Sequence, residues 1–163
     1  MKKTSEERLK ALFVQHPFPP LEVVIPVLEK SGRGEQELTS QLYDTYANLA
    51  RGIMEILRLK PCDMKTLVRV FEVVTSFFGS KIESIETSES KFSISLPDCP
   101  MCHVGKNISS NVRSKYCDLV CECGSQALTD VVLGKGKAKC SWDKSLVKGG
   151  SKCTTVFEIV KTK

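Results

Sequence analysis

At 163 residues, of which 41% are hydrophobic, the chain is the size of one ordinary domain and can bury a core. Its net charge of +5 comes from scattered lysines, with a modest concentration at Lys135, Lys137, Lys139, Lys144, Lys148 and Lys152. That pattern reads as a solvated face, and with 7% aromatic residues it lacks the interleaved basic and aromatic side chains of a nucleic-acid surface. No apolar run approaches the roughly 18 residues that a membrane span requires.

Taken in order, residues 4–15 predict a short amphipathic helix, with Leu9, Leu12 and Phe13 on one side. Prolines 17, 19 and 20 break it. A second helix is expected over 21–30, with Val24, Ile25 and Leu28 on one face and Pro26 as a kink or first-turn residue. Leu38, Leu42, Tyr46, Leu49, Ile53, Ile56 and Leu57 then keep steps of three and four, the period of a long helix over 35–59. Pro61 ends it, Asp63 is a candidate N-cap, and Met64, Leu67, Val68, Phe71, Val74 and Phe78 continue the period to Gly79. The aromatic stripe of this fourth helix is core by default. Where it faces a hollow instead, Phe71 and Phe78 are the candidate ligand-binding side chains.

After Gly79 the period changes to two. Residues 81–87 and 91–96 predict a β-hairpin turning at 88–90, 106–114 a polar loop, and 115–133 a further helix ending at Gly134. Residues 137–142 and 154–160 read as a final strand pair. Helices, hairpin, helix, hairpin is the order of an α+β domain, an antiparallel sheet with long helices on one side. The expected division is a helical extension over 1–35 and a main domain over 36–163.

Seven of the eight cysteines fall between Cys99 and Cys153. Cys99 and Cys102 form a C-P-x-C knuckle, Cys117 opens the expected third long helix, and Cys140 and Cys153 flank the last loop, facing each other across it. Such thiolates suit a tetrahedral zinc, which takes four donors at about 2.3 Å, often as pairs distant in sequence. Disulfides are the alternative. The charged start of the chain is followed only by the short run Ala11-Leu12-Phe13-Val14, too brief for a signal-peptide core, so a cytosolic protein is expected, in a compartment where thiols stay reduced. Cys121, one turn after Cys117, and Cys123 read as small core or surface residues, and His103 as a lesser substitute ligand.

From Leu38 to Val160 the chain resembles the 4-vinyl reductase domain, a predicted hydrocarbon-binding family. The resemblance rests on Phe77-Phe78-Gly79-Ser80-Lys81-Ile82-Glu83, on Asp98-Cys99-Pro100-Met101-Cys102, on Tyr116-Cys117 with Ala127-Leu128, and on Lys139-Cys140 with Cys153 and Phe157. It implies a twisted antiparallel sheet with packed helices, like subunits of vesicle-tethering complexes and haem nitric-oxide sensors, and a sensor-type module for hydrophobic or aromatic molecules. In sensory members the metal is held by a helix-start cysteine, a glutamate three residues before a strand cysteine, and a cysteine beyond it. The matching positions here are Cys117, Lys137, Cys140 and Cys153. A lysine ammonium has no lone pair to give zinc, so Cys99 or Cys102 is expected to complete the set.

The leading functional expectation is therefore a zinc-stabilised domain binding a hydrophobic small molecule. The first alternative is a protein-interaction or dimerisation module, since residues 4–30 carry apolar faces too small for a core of their own; a homodimer with these helices at its interface is expected. A tetrapyrrole vinyl reductase rests on the family's name alone, because the chain has no Gly-rich dinucleotide loop and no acid–base pair.

Overall fold

A long amphipathic helix is the spine of the protein, a computed structural model that describes residues 3–16, 21–30, 32–88, 91–98 and 108–160. This helix, α3 (Arg33–Leu57), buries Leu38, Leu42, Tyr46, Leu49 and Ile53 on the stripe that its spacing predicts. It stops where Arg58 turns left-handed, at φ 55. The helix α4 (Met64–Phe77) starts at Asp63, whose carboxylate accepts from the Lys65 amide at 3.0 Å. It buries Leu67, Val70, Phe71 and Val74.

Two helices precede the spine. Thr4 and Glu7 close a capping box on α1 (Ser5–Gln15), and α2 (Leu21–Lys30) runs through Pro26. Leu12 of α1 lies so close to Gly52 of α3 that a Cβ there would overlap it. Leu12, Phe13, Val24 and Leu28 share one continuous core with the rest of the chain. The faces that were too small for a core of their own are thus covered by the main body. The expected division after residue 35 falls inside the first turn of α3.

The sheet comprises β1 (Ser84–Thr87), β2 (Lys91–Leu96), β3 (Ala138–Lys144) and β4 (Cys153–Ile159) in the order β1-β2-β4-β3. All three pairings are antiparallel. Between the hairpins runs a helical stretch in three parts: α5 (Ser110–Tyr116), a π-helical turn over Cys117–Glu122, and α6 (Cys123–Leu133). The sequence predicts a single helix from 115. Its true start is earlier, where Ser109 accepts from the Val112 amide, because the polar residues of the first turn read as loop. Among the described residues no helix is long and apolar enough to cross a membrane.

Register sorts the inner face of the sheet into rows. Phe92 pairs with Phe157, which pairs with Cys140; Ile94 pairs with Thr155, which pairs with Trp142; Leu96 pairs with Cys153. Partners directly opposite share a face, as do residues two apart along a strand, so all eight side chains point the same way. The first row is densely filled: Phe92 and Phe157 stack with centroids 4.3 Å apart, and Phe71 of α4 meets Phe157 edge-on at 5.1 Å.

The outer edge of β3 is held by one side chain. Gln126 of α6 donates to the Ala138 carbonyl at 3.0 Å and accepts from the Cys140 amide at 2.8 Å, pairing an edge that would otherwise be open. Gln126 also donates to Asp130, which accepts the Tyr43 hydroxyl of α3 at 2.7 Å. Burial first, then this acidic neighbour, pushes the Tyr43 phenol up to about 12.

Candidate ligand cavity

Over the second and third rows the helices carry small side chains, and the sheet is not filled. Val74 and Thr75 of α4, Val120 and Cys121 of the π turn, and Ser125 of α6 all face this region. Where Phe71 fills the first row, these residues leave a partly open cavity of about 180 Å³. Its floor is Ile94, Leu96, Thr155, Trp142 and Cys153, and its sides include Phe71, Phe78, Tyr46, Tyr116 and Leu128. Both side chains expected to bind ligand, Phe71 and Phe78, therefore lie on its wall. Phe71 is buried, whereas Phe78 is 36% exposed.

The local sequence explains the shape. A π turn carries an extra residue per turn, and here the consecutive residues Val120 and Cys121 both reach the cavity. Gly124 lets α6 approach α3: a Cβ there would come within 2.5 Å of the Tyr46 ring. None of the described residues lining the cavity carries a formal charge. Burial holds the Tyr46 phenol well above its ordinary range, so it too stays neutral.

Two residues of the lining each bury an unpaired polar atom. Among the described residues, the buried side-chain nitrogen and oxygen atoms without a hydrogen-bond partner are Ser80 Oγ, Trp142 Nε1 and Arg113 Nε. Ser80 and Trp142 line the cavity, and Ser80 is only 4% exposed. Sequence reasoning gave neither a role. Strand alternation does place Trp142 on the face of Cys140, but Ser80, in the link after α4, had no periodic signal.

Of the expected metal ligands that are described, Cys117 and Cys153 come together and Cys140 stands apart. Cys117, in the π turn, has its sulfur 3.8 Å from Ser145 Oγ, and Cys153 accepts from the Leu146 amide at 3.3 Å, so both meet the same turn. Cys140 does not join them. It pairs with Phe157, four residues along β4 from Cys153, an offset of about 13 Å at roughly 3.3 Å per residue. The two do not face each other across the last loop, because β3 continues beyond Cys140 to Lys144. Burial pushes the Cys140 thiol up to about 12. Cys99, Cys102 and His103 lie outside the described residues. Cys123 packs against α3 with its sulfur 3.4 Å from the Thr39 carbonyl. Among the described residues no three His, Cys, Asp or Glu side chains are grouped to hold a metal ion.

The combination of helices on one face of a β1-β2-β4-β3 sheet has a match among solved structures. The chain is similar to a trafficking protein particle complex subunit 3 from Naegleria fowleri, solved covalently bound to palmitic acid. The two are 14% identical, the match covers 94% of this chain and 95% of that one, and the TM-score is 0.63. At that identity the likeness is one of fold, and it agrees with the tethering-subunit architecture that the sequence resemblance implied. No protein-family model matches the chain, and none of the curated proteins does.

Proposed function

We propose that this chain is a cytosolic binding module that takes a hydrophobic small molecule between the second and third rows of its sheet and the helices above. The observation that carries this reading is the cavity itself: a packed domain closes holes of this size unless something fills them, since each buried void costs stability. Its lining is nearly all apolar, as ligand sites are. The solved structure of like fold with palmitic acid bound supports the same class of ligand. The test is organic extraction and mass spectrometry of protein purified without detergent, together with titration by a solvatochromic apolar dye. Wild type should release or bind an apolar molecule, and Val74→Phe, which projects a ring into the cavity, should reduce dye affinity at least about tenfold. A wild type that carries no apolar molecule and binds no dye ends the proposal.

A second reading, association with another protein, is favoured by one surface. Phe13 of α1 and Phe77 of α4 stack at 3.8 Å, yet Phe77 is 51% and neighbouring Val14 79% exposed. A homodimer through this patch is the proposed form, and it can coexist with a filled cavity. Light scattering on wild type and Phe77→Glu decides it: a monomeric wild type removes the dimer, and a variant that still dimerises removes the patch.

Zinc is a separate proposal with a reduced ligand set. Cys117 and Cys153 meet one turn, and in sequence Cys99 and Cys102 follow shortly after Leu96, the strand residue paired with Cys153. Cys140 is outside this set for the reasons above. Elemental analysis of anaerobically purified protein tests it, with stoichiometric zinc expected and its absence decisive against.

A further inference from the structure

The cavity has a mouth, and the mouth adjoins the exposed aromatic strip. We infer that a second copy of this chain closes it: two copies meet over Phe77 and Phe78, cover the open end of the cavity, and so make ligand binding and self-association reinforce each other. This inference rests on the binding-module and dimer readings and deepens them by joining the two surfaces into one site.

Exposure locates the mouth. Of the described residues lining the cavity, Phe78 alone is exposed and the rest are buried or half-buried, so the wall meets solvent at that ring. The strip begins there. Phe77 lies edge-on to Phe78 with centroids 5.6 Å apart, Phe13 of α1 stacks on Phe77, and exposed Val14 follows Phe13 at the end of α1. Water at this place is unfavourable twice over, since it meets the exposed rings and also any part of an apolar ligand that reaches the mouth. A cover removes both contacts, and it gains more when the cavity is filled. The charges of α1 decide which cover fits. Glu6, Lys10 and Val14 are spaced by four and share a face of the helix; Lys10 pairs with Glu6 at 2.7 Å, and Arg8 pairs with Glu55 of α3 at 3.8 Å. With Glu6, Glu7, Arg8 and Lys10, α1 carries two charges of each sign. A second copy, which must face the same charges, therefore meets no net charge of its own sign to repel it. An anionic bilayer would require a basic rim instead. Two-fold pairing is also the commonest closed arrangement of one chain.

The experiment uses the full chain with a solvatochromic apolar dye as the probe. Light scattering over a dilution series gives the dimer's dissociation constant with and without saturating dye, and dye titrations are run at protein concentrations above and below it. Dye should tighten the dimer at least about fivefold, the low end of coupling between sites, and by reciprocity the dimer should bind dye more tightly than the monomer. Phe77→Glu should give a monomer whose dye affinity falls severalfold, although the described lining of the cavity does not include Phe77. Thermal melts check that the variant folds, and if it does not, Val14→Glu, at a well-exposed side chain, takes its place. Equal dye affinity in wild type and the monomeric variant, or a dimer indifferent to dye, overturns the inference while leaving the binding module and the dimer as separate properties. A wild type that stays monomeric, whether it binds dye alone or moves onto neutral phosphatidylcholine vesicles through Phe77, overturns the inference together with the dimer and leaves the binding module. A wild type that binds no dye overturns the inference together with the binding module.

Discussion

The inner face of the sheet is two surfaces on one set of strands. In the row of Phe92, Phe157 and Cys140 every side chain is at most 3% exposed, and the ring of Phe71 closes it from above. One row further on, Ile94, Thr155 and Trp142 meet small residues of α4, the π turn and α6, and a cavity remains. The strands alternate in the same way through both regions, so the difference lies in the helices. Large residues over the first row supply dispersion and burial, and small ones over the next leave room for something that is not protein. Stability and the proposed binding thereby fall on adjacent rows of one sheet.

The largest effect should come from breaking the filled row. Phe157→Ala removes a ring that is 0% exposed and should cost about 3–5 kcal/mol in chemical denaturation, a large part of the 5–15 kcal/mol typical of a domain. The equivalent cut on the hollow side, Leu96→Ala, should cost only about 1–2 kcal/mol, below the usual range for a fully buried leucine. Equal costs at the two sites would erase the distinction between the rows.

Gly124→Ala tests the close contact between α6 and Tyr46 of the cavity wall. The added methyl would sit within 2.5 Å of the Tyr46 ring, so the ring or α6 must shift, and Tyr46 lines the cavity. The expected cost is about 1–3 kcal/mol, with weakened binding of an apolar dye. An unchanged melt and unchanged dye affinity would show that Tyr46 does not shape the site.

Tyr43→Phe probes the clamp between α3, α6 and the β3 edge, away from the cavity. Losing the 2.7 Å bond to Asp130 should cost about 1.5 kcal/mol, toward the lower end for bonds to charged groups, with dye binding unaltered. The pH dependence has a defined sign. The phenol's proton is held more tightly in the folded state, with a pKa of about 12 against an ordinary value of 10.0. The associated stability is fully present below about pH 10 and is lost as pH rises toward 12. Wild type and Tyr43→Phe should therefore converge in stability over that window, and parallel curves would show that the phenol is not coupled to folding.

The smallest stability effect is expected at Phe78. Being 36% exposed, it should cost under about 1 kcal/mol on truncation to Ala, while apolar dye affinity falls severalfold because the ring is part of the cavity wall. A large loss of stability with no change in binding would transfer Phe78 from the hollow region to the filled one.

Much of this arrangement is determined by the sequence alone. The stripe Leu38, Leu42, Tyr46, Leu49 and Ile53 dictates α3, alternation over 91–96 dictates β2, and the switch of period after Gly79 separates helical from extended chain, because these signals are local. Phe71 and Phe78 are legible as wall residues for the same reason, being on the apolar stripe of α4. The π turn is not legible, since one residue inserted into a helix barely disturbs its periodicity. Strand register is decided only in three dimensions: it pairs Cys140 with Phe157 and so removes Cys140 from Cys153, although sequence order made them look like partners. The cavity belongs to the same category. Ser80 and Trp142 are 62 positions apart, and only the packing of four helices and a helical turn on one sheet face brings both to one hollow, because a void is defined by side chains from distant segments that fail to meet.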